Sequence, residues 1–238
     1  MEQIGNGTLF LFPTTISQHD YRDVLPENMM HYLHQTDVFI TENIRTTRRF
    51  LRAVGFEGDF DRIPYFILNK HTKDTEIPFF LEPLKKGKNI GLFSEAGMPG
   101  VADPGATAVC LAHQNNLRVK PLAGPSSIFM ALAASGFNGQ QFAFNGYLPV
   151  DSRKRTQAIR FYEKRMLQEQ QTQIFIEAPY RNNQLMKALV NILSPETKLC
   201  VASEISAEQE FIKSQKIKAW QHQLPDLNKK NTVFLFYA

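Results

Sequence analysis

The segment NIGLFSEAGMPGVADPGATAVCLAHQNNLRVKPL, residues 89–122, restricts the possible folds more than any other part of the chain. An apolar run at residues 89–94 gives way to a loop of Gly, Pro and acidic residues at 95–102. Asp103 is then placed to cap a helix, with Pro104 at its first position and Gly105–Gln114 as its body. A second apolar run follows at 117–122. Strand, helix and strand in this order imply a parallel pair joined by a right-handed crossover. All-α and all-β folds are thereby excluded.

The same alternation extends in both directions. Before this unit, Thr8–Phe12 and residues 37–41 read as buried strands, with a helix over 23–35 that has Pro26 near its first turn. Residues 42–55 predict a helix with Ile44, Thr47, Leu51 and Val54 on one face, Arg45, Arg48, Arg49 and Arg52 on the other, and Gly55 as its stop. Residues 78–86 suggest a short helix before Gly87. Ala123, Gly124, Pro125, Ser126 and Ser127 read as a joint, followed by a helix that Ser126 caps and Gly136 ends. Beyond it come a strand at 142–148, a basic helix at 152–170, a strand at 172–178, a helix at 181–193 and strands at 198–204 and 232–238. Residues 208–223 carry no decisive period. The expected architecture is α/β, with one domain over residues 1–122 and another over 123–238, each around a largely parallel sheet.

A chain of 238 residues with 43% hydrophobic and 21% charged residues can build real cores. No run reaches the ~18 apolar residues a membrane helix needs. The opening MEQIGNGTLFLFPTT lacks the basic start and apolar length of a secretion signal. Cys110 and Cys200 each lie in apolar stretches and read as buried, reduced thiols, which places the protein in the cytoplasm. The formal charge of +4 permits an anionic partner without demanding one. His31, His34, His71 and His113 share no ligand spacing, so no metal is expected.

The loop at 95–105 stands where ligands of open α/β sheets bind, beyond the carboxyl end of a strand. Gly97 and Gly100 would let backbone approach a ligand, and Pro99 and Pro104 stiffen the path. The loop has no Lys or Arg and matches neither G-x-G-x-x-G nor the P-loop, which speaks against a phosphate cradle. A tight strand-to-helix turn with no ligand has the same composition.

SEAGMPGVADPG resembles the S-D-A-G-T-P-x-x-x-D-P-G signature of the tetrapyrrole-methylase-like superfamily. GTLFLFPTTI, TENIRTTRRFLRAVG, PLAGPSSIFMALAASG and FAFNGYLP are similar, in order, to further motifs of the branch that methylates a cytidine ribose 2′-hydroxyl in small-subunit ribosomal RNA. The resemblance implies an S-adenosylmethionine-dependent methyltransferase with two α/β domains, a cofactor cleft between them, and a homodimer. It implies a cofactor wall of Glu95, Gly97, Met98, Pro99, Val101 and Asp103, with Ser126 and Ser127 beside it and Ile176, Ala202 and Ile205 near the adenine and ribose. Glu42 and Arg45 become candidates for the substrate side. Departures cluster there: E-D-T-R is Glu42-Asn43-Ile44-Arg45, E-L-T-K is Glu204-Ile205-Ser206-Ala207, P-I-G-N-L-x-D is replaced within residues 14–23, and K-G-E gives way to residues 229–232.

The arginine stripe of 45, 48, 49 and 52 and the basic segment 152–165, with Phe161 and Tyr162 interleaved, fit an RNA backbone or plain solvated helix faces. A small tetrapyrrole-like acceptor is a second reading, although the N-terminal G-x-G-P-G-D loop of those branches is missing. A non-catalytic cofactor-binding relative is a third.

Overall fold

The computed structural model describes residues 6–17 and 21–238. The first five residues of the opening, His19 and the middle of segment 14–23 therefore lie outside the described residues. The chain divides into two compact units, Met1–Ser126 and Ser127–Ala238.

The first unit is built on strands β1 (Thr8–Phe12), β2 (Val38–Thr41), β3 (Tyr65–Ile67), β4 (Ile90–Phe93) and β5 (Arg118–Pro121). They lie in the order β3-β2-β4-β1-β5, every neighbouring pair parallel. Helices α1 (Met29–His34), α2 (Ile44–Ala53), the short α3 (Ile77–Phe80) and α4 (Glu82–Lys85), and α5 (Gly105–Gln114) complete it. Alternate side chains of each strand serve opposite faces. Leu9, Ile40, Ile90 and Leu92 pack with α3, α4 and α5, whereas Phe10, Phe12, Phe39 and Phe93 pack with α1 and α2. A parallel sheet covered on both faces needs such unbroken apolar runs, which is why they were legible. Gly91 makes room for the rings: a Cβ there would stand 2.9 Å from Phe12 and 3.1 Å from Phe39.

The helix expected over 23–35 is shorter. A 3-10 turn covers Tyr21–Asp23 and the α-helix begins only at Met29. Pro26 offers no N–H and disfavours helical backbone at Leu25, so the first turn cannot form there. The strand β3 was not anticipated; it is only three residues long, with Tyr65 and Phe66 half-buried and Ile67 exposed.

The second unit holds helix α6 (Ser127–Ser135), strand β6 (Phe142–Tyr147), helix α7 (Ser152–Glu169), strand β7 (Thr172–Ile176), helix α8 (Asn182–Ile192), strands β8 (Lys198–Ser203) and β9 (Phe211–Lys216), the short helix α9 (Ile217–Trp220), and strand β10 (Thr232–Tyr237). The order is β6-β7-β10-β8-β9. This sheet corrects the expectation of a largely parallel one. Only β6 and β7 pair in parallel; β10 runs antiparallel to both β7 and β8, and β9 antiparallel to β8. Helical crossovers keep β6, β7 and β8 pointing one way, while the short connection at residues 204–210 sends β9 back and β10 enters reversed. The core on one face gathers Phe175, Leu189, Val201, Trp220, Phe234 and Phe236 under α7, α8 and α9. The Trp220 indole N–H donates to the Leu199 carbonyl at 3.0 Å.

Cys200 is buried, and desolvation pushes its thiol up to about 12. Cys110 is exposed on α5, contrary to expectation, because Ala108 and Ala112 form that helix's inner face. No helix among the described residues is long and apolar enough to cross a membrane.

Candidate active site

The loop after β4 is tied to the end of β1. Thr14 N–H donates to the Gly97 carbonyl at 2.9 Å, and Gly97 N–H returns to the Thr14 carbonyl at 3.2 Å. The Ser94 hydroxyl donates to the same Gly97 carbonyl at 3.0 Å. Gly97 sits at φ +76°, a left-handed conformation that glycine adopts without strain. Its backbone freedom thus serves the turn, and both its polar groups are committed to Thr14.

Asp103 organises the rest of the loop. Its Oδ1 accepts from Gly100 N–H at 2.8 Å and from Gly105 N–H at 2.7 Å, so it closes the loop and bonds the first residue of α5, although the helix starts one residue later than expected, with Pro104 rather than Asp103 in the N-cap position. Its Oδ2 is buried without a partner. Burial raises the Asp103 pKa, and the Gly100 and Gly105 N–H bonds only partly oppose this. With the Gly97 N–H bonded to Thr14 and those of Gly100, Val101 and Gly105 engaged inside the loop, these four donors are not turned toward a phosphate. What the loop offers a ligand is carboxylate. Ala102, at φ +62°, is held in a conformation uncommon for a residue with a Cβ.

A pocket of about 580 Å³ opens beside the loop, lined by Glu42, Asn43, Asn69, Lys70, His71, Glu95, Ala102, Asp103 and Pro104. Glu42 directly follows β2, and its Oε1 accepts from Glu95 N–H at 3.4 Å. Burial raises the Glu42 pKa, with the Asp103 and Glu95 charges adding to it and the Glu95 N–H opposing. Asn43 stands where the resembled motif has a second carboxylate, and it caps α2 by accepting from Arg45 N–H at 2.9 Å. The far wall is a tight turn: His71 N–H donates to Asn69 Oδ1 at 2.9 Å, and Asn69 N–H to Thr72 Oγ1 at 3.0 Å.

Of the residues singled out in the sequence, Glu42, Glu95 and Asp103 meet in this pocket. Arg45 is exposed on the first turn of α2 and does not line it. Gly97 and Pro99 are buried, Met98 is half-buried and Val101 is exposed. Ser126 is buried in a segment that passes close to Gly97, where a Cβ would meet the Pro125 carbonyl oxygen at 3.5 Å, and Ser127 opens α6. In the second unit Ile176 ends β7, half-buried, while Ala202 and Ile205 are buried at the end of β8. Asn69, Lys70 and His71 were missed. Among the described residues no three His, Cys, Asp or Glu side chains converge to hold a metal ion.

Residues 21–220 match the family model described as Tetrapyrrole (Corrin/Porphyrin) Methylases. The chain belongs to the tetrapyrrole methylase family. Within it, the chain is 28% identical over 232 residues to the ribosomal RNA small subunit methyltransferase I of Haemophilus influenzae, covering 96% of this chain and 78% of the relative. It is 32% identical over 204 residues to the protein of that name from Synechocystis, covering 86% and 69%. The crystal structure of the methyltransferase CobJ shares the fold at a TM-score of 0.63 and 14% identity, over 98% of this chain and 94% of that one. Uroporphyrin III C-methyl transferase from Thermus thermophilus does so at 0.57 and 13%, over 97% of each. Family and relatives together make the protein a methyltransferase.

In this tetrapyrrole methylase the arginine stripe of α2 is not uniform. Arg48 is drawn inward: Nη2 donates to the Phe60 carbonyl at 2.9 Å and lies 3.2 Å from the Asp61 carboxylate, with the guanidinium 5.2 Å from the Tyr65 ring centre. Arg52 lies 5.3 Å from the Phe60 ring centre. These two brace residues 56–65, leaving Arg45 and Arg49 as the outward charges. Arg48→Ala is expected to lower the unfolding free energy from urea titration by roughly 1–3 kcal/mol, and Arg49→Ala to leave it within about 0.5 kcal/mol. On α7, Arg155 is buried with its guanidinium on the Val150 carbonyl at 3.1 Å, whereas Arg153, Arg160 and Lys164 remain outside beside Phe161.

Proposed function

We propose that the protein transfers the methyl group of S-adenosylmethionine to small-subunit ribosomal RNA, at a ribose 2′-hydroxyl. The observation that carries this reading is the identity to relatives named ribosomal RNA small subunit methyltransferase I across 86–96% of the chain. The pocket suits it. Glu95 and Asp103 are acidic lining for a ligand that carries a sulfonium and an ammonium, and Asp103 Oδ2 is a buried acceptor without a partner. The cofactor residues of the first unit are Glu95, Gly97, Met98, Pro99, Val101, Asp103 and Ser126; those of the second are Ser127, Ile176, Ala202 and Ile205.

Bound there, the cofactor supplies an electrophilic methyl that needs no metal or nucleophilic residue. The chain's own task is alignment and proton handling. Glu42, with its raised pKa, takes the proton of the acceptor hydroxyl. Lys70 and His71, across the pocket, suit a phosphate oxygen of the acceptor nucleotide. Arg45 and Arg49 on α2 and Arg153, Arg160 and Lys164 on α7 bind the RNA backbone. The protein works as a homodimer in the cytoplasm.

The test is to incubate the purified protein with methyl-labelled cofactor and small ribosomal subunits from cells lacking the gene. The expected result is label at one nucleotide of the subunit RNA. Label confined to a tetrapyrrole-like small molecule, or none, overturns the reading.

A further inference from the structure

The carboxyl end of the second sheet carries side chains with no part in its core. Tyr147 closes β6 and pairs with Ile176 at the end of parallel β7. The chain then turns through Pro179–Arg181. The side chains of Tyr147 and Tyr180 leave these residues 60% and 70% exposed, which contributes little to folding. Between β7 and that turn the buried Glu177 holds Arg181 in place: Arg181 Nε and Nη2 donate to Glu177 Oε1 at 2.9 and 2.6 Å. Ala178 N–H donates to the same oxygen at 2.7 Å. The guanidinium lies 5.4 Å from the Tyr180 ring centre. Lys229 N–H donates to the Pro179 carbonyl at 3.0 Å, which sets Lys229 and Lys230 against the turn.

The neighbouring carboxylates are already in use. Glu177 is consumed by Arg181, Asp226 accepts from Asn183 Nδ2 and Asn228 N–H, and Glu204 accepts from Asn231 N–H. The surface thus combines two exposed aromatic rings, a planar cation held still by a buried acid, and two lysines. Holding a carboxylate with a 1% exposed side chain to steady an arginine whose own side chain is 22% exposed is costly unless the arginine's orientation matters. Rings and a fixed guanidinium match the faces of unpaired bases, and ammonium groups match the phosphates between them.

We propose that Tyr147, Tyr180 and Arg181 form a stacking platform for unpaired bases of the RNA substrate, with Lys229 and Lys230 on the flanking phosphates. This rests on the reading of the protein as an RNA methyltransferase. It adds that the acceptor nucleotide is presented from a single-stranded segment, since paired bases offer no free faces.

The test uses fluorescence anisotropy with a short labelled oligocytidylate and the same chain made abasic. Y147A/Y180A should bind the oligocytidylate about tenfold or more weakly than wild type. Y147F/Y180F should retain affinity, because rings stack without their hydroxyls. The abasic chain should bind wild type no better than the alanine variant binds the normal one. In methyl transfer to small subunits the alanine variant should raise KM with kcat kept. Unchanged affinity in that variant, with wild type still methylating subunits, overturns the platform and spares the functional reading. A wild type that neither binds the oligonucleotide nor methylates subunits overturns the reading and the platform with it. Loss of a dimer in sedimentation with RNA affinity unchanged assigns the tyrosines to a contact between copies and overturns the platform.

Discussion

Replacing Glu42 by Gln is expected to lower methyl transfer about 100-fold or more while cofactor binding by calorimetry stays nearly unchanged. The amide keeps an oxygen for the Glu95 N–H, which Glu42 Oε1 receives at 3.4 Å, so the loop should hold its shape. What disappears is the proton acceptor. Because burial, then the Asp103 and Glu95 charges, raise the Glu42 pKa above 4.5, the acid limb of the wild-type rate profile should lie above that value. The variant's profile should lose that limb. Stability moves the other way. A carboxyl whose pKa is raised by folding favours the folded state when protonated, and that contribution is lost as pH rises through the folded pKa. At neutral pH the wild type therefore carries the unfavourable charged form, and Glu42→Gln should melt slightly higher, an advantage that vanishes on acidification below 4.5. A variant that melts higher yet turns over normally would remove Glu42 from the chemistry.

Phe93→Ala is expected to cost about 3–5 kcal/mol, enough to unfold much of the protein at moderate temperature. Phe93 is 2% exposed and stacks on Phe12 with ring centres 4.9 Å apart and planes 6° from parallel. Phe39 meets it edge-on at 5.2 Å and Phe50 at 6.0 Å. Removing this ring opens a cavity that neighbouring aromatic rings cannot collapse into. It stands at the last position of β4, immediately before Ser94 and the loop that caps α5, so the lesion falls under the site. Thermal melting with and without cofactor should show the loss in both states. A melting temperature within a degree or so of wild type would contradict the packing described here.

The contrast between the two units explains what could be read from the residues. Strands buried on both faces, such as Thr8–Phe12 and Ile90–Phe93, leave apolar runs that local pattern alone reveals. Strand Phe211–Lys216 has its residues half-buried or exposed, so its period was lost within an ambiguous stretch. Strand direction has no local signature at all, so alternating strands and helices suggest a largely parallel sheet even where β10 enters reversed. The carboxylates of the pocket announced themselves through the loop they flank. Asn69, Lys70 and His71 did not, since a turn after a three-residue strand reaches the pocket only through the pairing of β3 with β2. Arg48 looked like one charge in a stripe; its partners Phe60 and Asp61 belong to a loop whose return no periodicity encodes.

Placing Thr232–Tyr237 between β7 and β8 has a kinetic corollary. Without it the second unit would fall into β6 with β7 on one side and β8 with β9 on the other, each a two-stranded ribbon of marginal independent stability. The ribbons must wait, unpaired, for a strand distant in sequence to bridge them, so high contact order should make this unit the slower to fold. Until then the flanks of β7 and β8 stand open, and a chaperone or a neighbouring nascent chain would find its easiest foothold there.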